Sequence, residues 1–109
     1  MTNKEIEEKV NELGVKYHNT GKEVYFEKFI ELITPLIHYR INQYKLYSRR
    51  ETAYQRVCLG IWKNFHKYTP EKGTPKRFVM GIVINTLKKY LDYLERKKRK
   101  IYQNAVSLN

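Results

Sequence analysis

The segment Phe78 to Ile84 is the one place in this chain where a strand competes with a helix. Its seven residues are apolar apart from Gly81 and rich in Val and Ile, which favour strands. The apolar positions then carry on at intervals of three and four, through Leu87, Tyr90, Leu91 and Leu94, and that period belongs to a helix. With this segment read as helix, no strand signal remains. The chain is expected to be all-α, with three or four helices around one small core.

Three further stripes support that expectation. Ile6, Val10, Leu13 and Tyr17 mark an acidic amphipathic helix near 3–17, weakened by Gly14 and ended at His18-Asn19-Thr20-Gly21. Phe26, Phe29, Ile30, Ile33, Ile37, Ile41 and Tyr44 mark a second near 23–46. Pro35 removes a backbone donor there, so a kink or a restart is expected, with Thr34 placed to cap. A third, near 49–67, has an apparent capping box, Ser48-Arg49-Arg50-Glu51, before Tyr54, Val57, Cys58, Ile61, Trp62 and Phe65. Thr69-Pro70-Glu71-Lys72-Gly73 reads as a turn, and Thr74-Pro75 as the cap and first residue of the last helix, near 75–99. That helix ends in the basic run Arg96 to Lys100, and the tail 101–109 is expected to fray. The organisation expected is an acidic helix and linker over 1–22, a helical domain over 23–100 and a short tail.

At 109 residues there is room for one core. A membrane-spanning helix needs about 20 apolar residues, so no span is expected. The first five residues lead into no apolar core, so no signal peptide is expected either. A single cysteine, Cys58, excludes an internal disulfide and a CxxC metal site and fits a reducing cytoplasm. The 22 basic and 11 acidic residues leave a net charge of +11. The charge is polarised: residues 1–31 hold five Lys against seven Glu, whereas residues 32–109 hold 17 basic against four acidic residues. Together with ten tyrosines, this points to a polyanionic partner such as nucleic acid. A solvated basic face on a soluble helical protein is the plainer alternative.

Catalysis finds little support. Asp92 is the only Asp, set among Lys89, Arg96 and Lys97, and is most simply an ion-pair partner within its helix. His18, His38 and His66 are scattered without ligand spacing. Cys58 sits on an apolar stripe, and no Gly-rich phosphate loop is present. No enzyme, metal or cofactor is expected.

The order Gln55, then Leu59-Gly60-Ile61-Trp62, then Pro70-Glu71-Lys72-Gly73 resembles region 2 of the bacterial sigma-70 family. The helix following the turn, Phe78 through Asn85 to Leu91 and into the basic run, is similar to the one that recognises and melts the promoter −10 element. Phe29 to Arg40 resembles the first region 2 helix, so the likeness covers roughly residues 23–100. It implies that Gln55, Arg56, Leu59 and Lys63 dock on a coiled coil of the RNA polymerase β′ subunit, with Trp62 in a packing role. It also implies a DNA surface: Lys76, Arg77, Lys88, Lys89, Arg96 and Lys97 for phosphates, Asn85 for a base edge, and Phe78 with nearby Tyr68 for stacking. For Leu59, Lys63, Phe78 and Asn85, ordinary packing or solvation remains the alternative. The chain departs from the family at Arg56, where Glu is frequent, and at Glu51-Thr52-Ala53. Gly81 and Ile82 stand where housekeeping factors carry paired tryptophans, so melting is expected to be weaker or to use Tyr90 and Tyr93.

Nothing after Lys100 can supply the second domain that reads the −35 element. The chain is expected to be either a cut-out domain or a stand-alone protein working with a region 4-like partner; an anti-sigma protein is a further possible partner. Two other readings stay open: a basic helical DNA-binding regulator from a phage or mobile element, and a protein-interaction module.

Overall fold

The computed structural model describes residues 2–107, with side chains to residue 104; Met1, Leu108 and Asn109 lie outside the described residues. Among these residues the regular structure is all-α: α1 (Asn3–Thr20), α2 (Glu23–Gln43), α3 (Arg50–Asn64) and α4 (Pro75–Ser107). Short 3-10 turns lie in the α2–α3 connection at Tyr47–Arg49 and in the α3–α4 connection at Phe65–Lys67 and Pro70–Lys72. α1 lies on α2 and α4, and α3 packs mainly on α4 and α2.

α1 begins at Thr2, whose hydroxyl accepts a bond from the Glu5 amide at 3.2 Å. It runs past the expected Tyr17 to Thr20, because Gly21 (φ 68°) supplies the left-handed cap and its amide donates to the Tyr17 carbonyl. α2 passes through Pro35 without a restart. Pro35 and Glu31, the residue one turn before it, are both exposed, so the carbonyl that loses its donor is open to water. Thr34 caps nothing: its hydroxyl donates to the Ile30 carbonyl at 2.7 Å and meets the Tyr54 hydroxyl of α3 at 2.9 Å.

The capping box is not formed. Ser48 lies inside the Tyr47–Arg49 turn, and Arg49 occupies the cap position of α3 with no side-chain cap bond. The cause is Leu46: its amide reaches back to the Ile41 carbonyl at 3.1 Å and its side chain is buried, which pulls the chain into a tight turn with Lys45 at φ 57°. Thr74-Pro75 does start α4: Thr74 accepts from the Arg77 amide at 3.3 Å, and Pro75 is the first helical residue. α4 then extends to Ser107, past the expected end near residue 99, with no Gly or Pro between Lys100 and Ser107 to stop it.

The core is one cluster. Val10 and Leu13 come from α1, Phe29, Ile33, Ile37 and Ile41 from α2, Ala53, Val57 and Ile61 from α3, and Val79, Val83, Leu87 and Tyr90 from α4. Leu46, Phe65 and Tyr68 fill it from the connections. Ile82, Leu91 and Leu94, expected inside, are partly buried at its margin. Trp62 departs furthest from expectation: it is 58 % exposed. Val57 and Ile61 already fill the inner face of α3, and Trp62 lies one residue round from it.

Gly14 explains how α1 closes onto this cluster. A Cβ there would lie 2.3 Å from Pro75 Cβ and 3.2 Å from the Phe29 ring. Beside it, Asn11 Oδ1 accepts from the Lys76 amide at 2.9 Å, satisfying a free N–H at the start of α4, and Glu7 pairs with Lys76 Nζ at 3.5 Å. Gly81, by contrast, has nothing within 4 Å of its missing Cβ. Two glycine-to-alanine changes should therefore have opposite signs. Gly14→Ala is expected to destabilise by about 1–3 kcal/mol through overpacking, despite alanine's better helix propensity. Gly81→Ala should stabilise by about 0.5–1 kcal/mol. Urea unfolding followed by circular dichroism checks both; a stabilised Gly14→Ala would mean α1 does not close on Pro75.

Candidate interaction surfaces

On α3, Gln55, Arg56, Leu59 and Lys63 are all exposed, on the side facing away from the core. Leu59 is 49 % exposed and lies one turn before Trp62, so the two form an adjacent apolar pair in solvent. Sequence reasoning placed Trp62 inside because its position continues the Cys58–Ile61 stripe; its spacing to Gln55 and Leu59, seven and three residues, was the available signal for the outer face. Arg56 turns sideways to α4, where its guanidinium lies 4.4 Å from the Tyr90 ring centre and 5.2 Å from that of Tyr93. Lys63 lines the same side of α3, along a shallow groove shared with Thr86, Lys89 and Tyr90.

The expected DNA residues of α4 separate into three groups. Arg77, Asn85, Lys88 and Arg96 are exposed and share one stripe, opposite Val79, Val83 and Leu87, with Gly81 and Asp92 between them. Lys89 is exposed beside that stripe. Lys76 is turned to α1 and paired with Glu7. Lys97 projects to the α3 side, 5.9 Å from the Tyr93 ring. Arg96 reaches the backbone carbonyl of Asp92 at 3.4 Å, and among the described residues no ion pair to the Asp92 carboxylate forms.

The aromatic candidates are mostly engaged in packing. Tyr68 is buried, its hydroxyl donating to the Gly73 carbonyl at 2.8 Å, and Tyr90 is buried as well. Neither offers a face to a base. Phe78 is half-buried against Phe65 and Tyr68, with ring centres 6.3 and 5.5 Å away, and Lys72 Nζ lies 5.6 Å from its centre. Tyr93 is 42 % exposed. The stack of Arg56 on Tyr90 and Tyr93 had no sequence signal, since it joins residues more than 30 positions apart.

Several polar side chains are engaged in packing and internal bonds. Burial pushes the Cys58 thiol above its ordinary value, which keeps it protonated at neutral pH and a poor nucleophile. Burial likewise raises the Tyr54 hydroxyl. His38 stacks on Tyr54 at 5.1 Å and accepts from Arg50, which also bonds Asn42; His18 meets the edge of Tyr68. Among the described residues no group of His, Cys, Asp or Glu could hold a metal ion, and no helix is long and apolar enough to cross a membrane.

Comparison with known proteins adds one finding. The family model for sigma-70 region 2 matches residues 31–100, which take in α2 from Glu31, all of α3 and α4 to the end of the basic run. No curated protein and no solved structure matches the chain. The match spans well over half of the sequence and contains both exposed surfaces of α3 and α4; the chain belongs to the sigma-70 region 2 family, whose members are transcription initiation factors rather than enzymes.

Proposed function

We propose that this chain is a sigma factor-like initiation protein that docks on core RNA polymerase, through the β′ coiled coil, and uses α4 to recognise and open the promoter −10 element. A separate partner would supply −35 recognition, and the cytoplasm is where such a protein would act. The observation that carries the reading is the pairing of two unlike surfaces within the matched segment. α3 offers an apolar Leu59–Trp62 pair beside Gln55, the composition of a protein contact. α4 offers Arg77, Asn85, Lys88, Lys89 and Arg96 along its outward side, the composition of a nucleic-acid contact. A generic basic regulator would have no use for an exposed Leu59–Trp62 pair on α3.

For DNA, phosphate contacts set register and affinity while bases carry the discrimination. Phe78 is the strand-capture candidate, since it is the aromatic at the start of α4 that packing on Phe65 and Tyr68 covers only in part.

Two measurements check this reading. Leu59→Asp and Trp62→Ala should each cut capture by core RNA polymerase by about tenfold or more, as loss of a central apolar anchor does, while circular dichroism stays helical. Undiminished capture by both variants would remove α3 as the docking helix. Phe78→Ala should weaken binding of the polymerase complex to bubble DNA by about 1–3 kcal/mol and to duplex much less, the cost of one lost base stack. Equal weakening on both probes would leave Phe78 a packing residue only.

A further inference from the structure

A groove of about 640 Å³ lies between α1 and the turn that leads into α4. Buried Tyr68 and Pro75 form its base, and Val15, 42 % exposed, and Pro70 line its sides. Glu8 and Glu12 stand on its α1 edge; Lys16, the one cation lining it, is bonded to Glu12 at 3.0 Å. Glu8, Glu12 and Val15 follow at intervals of four and three, so they share the side of α1 opposite Val10 and Leu13. At its other end α4 carries Ile101 and Tyr102, 62 % and 71 % exposed, the two most exposed large apolar side chains among the described residues. Lys98 stands one turn before both, and Arg99 one turn before Tyr102. The family match at residues 31–100 takes in neither α1 nor Ile101 and Tyr102.

We propose that this groove receives the C-terminal end of α4 from a second copy of the chain, with Ile101 and Tyr102 seated against Val15, Tyr68 and Pro70, and Lys98 and Arg99 beside Glu8 and Glu12. The inference uses none of the residues assigned above to polymerase or DNA and stands apart from that reading. Length excludes the contact within one molecule. α4 begins at the groove with Pro75, and Ile101 lies about 39 Å further along at about 1.5 Å per residue. No Pro follows Pro75 to turn the helix back. The contact is therefore head to tail, joining unlike patches of two copies. Chemistry selects the occupant. The carboxylates on the edge repel a nucleic-acid strand, and the apolar base takes an apolar side chain flanked by cations. The end of α4 offers that combination with the largest apolar exposure in the described chain. Two side chains and their neighbours make a small interface, so the association is weak and transient.

The test is sedimentation equilibrium of the full chain from micromolar to near-millimolar concentration, at low and at high salt. The wild type should gain mass with concentration, more so at low salt because exposed ion pairs are screened. Tyr102→Ala, and separately Glu8→Lys with Glu12→Lys, should each raise the dissociation constant by about tenfold or more, as loss of an anchor does. The deciding arm pairs two variants that each fail alone. A chain with Glu8→Lys and Glu12→Lys opposes cations to its own kind of α4 end; a chain with Lys98→Glu and Arg99→Glu opposes carboxylates to its own kind of groove. Mixed, the two should associate, which also shows that both are folded. A mixture that stays monomeric overturns the head-to-tail contact. So does a wild type that is monomeric at every concentration, or a Tyr102→Ala chain that associates as the wild type does. If Leu59→Asp abolishes association while Tyr102→Ala keeps it, the copies meet through the outer side of α3 and the groove proposal falls.

Discussion

Phe65 is the ring on which four parts of the chain close. It is buried at the end of α3, with the rings of Tyr17, Phe26, Phe29, Tyr68 and Phe78 centred 5.2 to 6.5 Å away. Those rings come from α1, α2, the connection after α3, and α4. Three of the five contacts are edge-to-face, an arrangement that fixes direction as well as burying area. Gly14 lets α1 approach near enough to join, and the Tyr68 hydroxyl ties the connection to Gly73 just before α4 begins. The entry angle of α4, and so the direction its outer stripe faces, depends on this cluster.

At the other end of the bundle the seam between α3 and α4 is set by a second close approach. A Cβ on Gly60 would come within 3.0 Å of Thr86 Oγ1, so the two helices meet there through small groups. Beyond that contact they leave a groove rather than a packed interface, and Arg56 bridges it by lying across Tyr90 and Tyr93. Because Val57 and Ile61 already fill the inner side of α3, Leu59 and Trp62 remain outside. They form an adjacent apolar pair in solvent on the outer side of α3. The exposed apolar pair thus lies on α3 and the outward cations on α4.

Much of the fold was legible in the residues. The stripe Ile33, Ile37, Ile41 and the stripe Val79, Val83, Leu87 are periodic over several turns, and that period survives whatever packs against it. Thr74-Pro75 starts a helix because both effects are local to the backbone. The Ser48 box failed for the opposite reason: burial of Leu46, decided by contacts with distant helices, drew Ser48 into a 3-10 turn. Tyr68, Phe78 and Tyr90 could equally be read as base-stacking or core aromatics, since amphipathic rings suit either role.

What the sequence determined by itself was the class of fold, the family and the charge polarity. Each is carried by the order and spacing of neighbouring residues: helical period, the Gln55 to Gly73 motif, and the bias of basic residues after position 31. Only the tertiary structure decided which members of those stripes face solvent. It turned Trp62 outward, paired Lys76 with Glu7 on α1, and brought Arg56 to Tyr90, Tyr93 and Lys97. The reason is geometric. A helical stripe fixes which residues share a side, but the width of the buried arc is set by the neighbours that pack on it, and those neighbours lie tens of residues away in the chain.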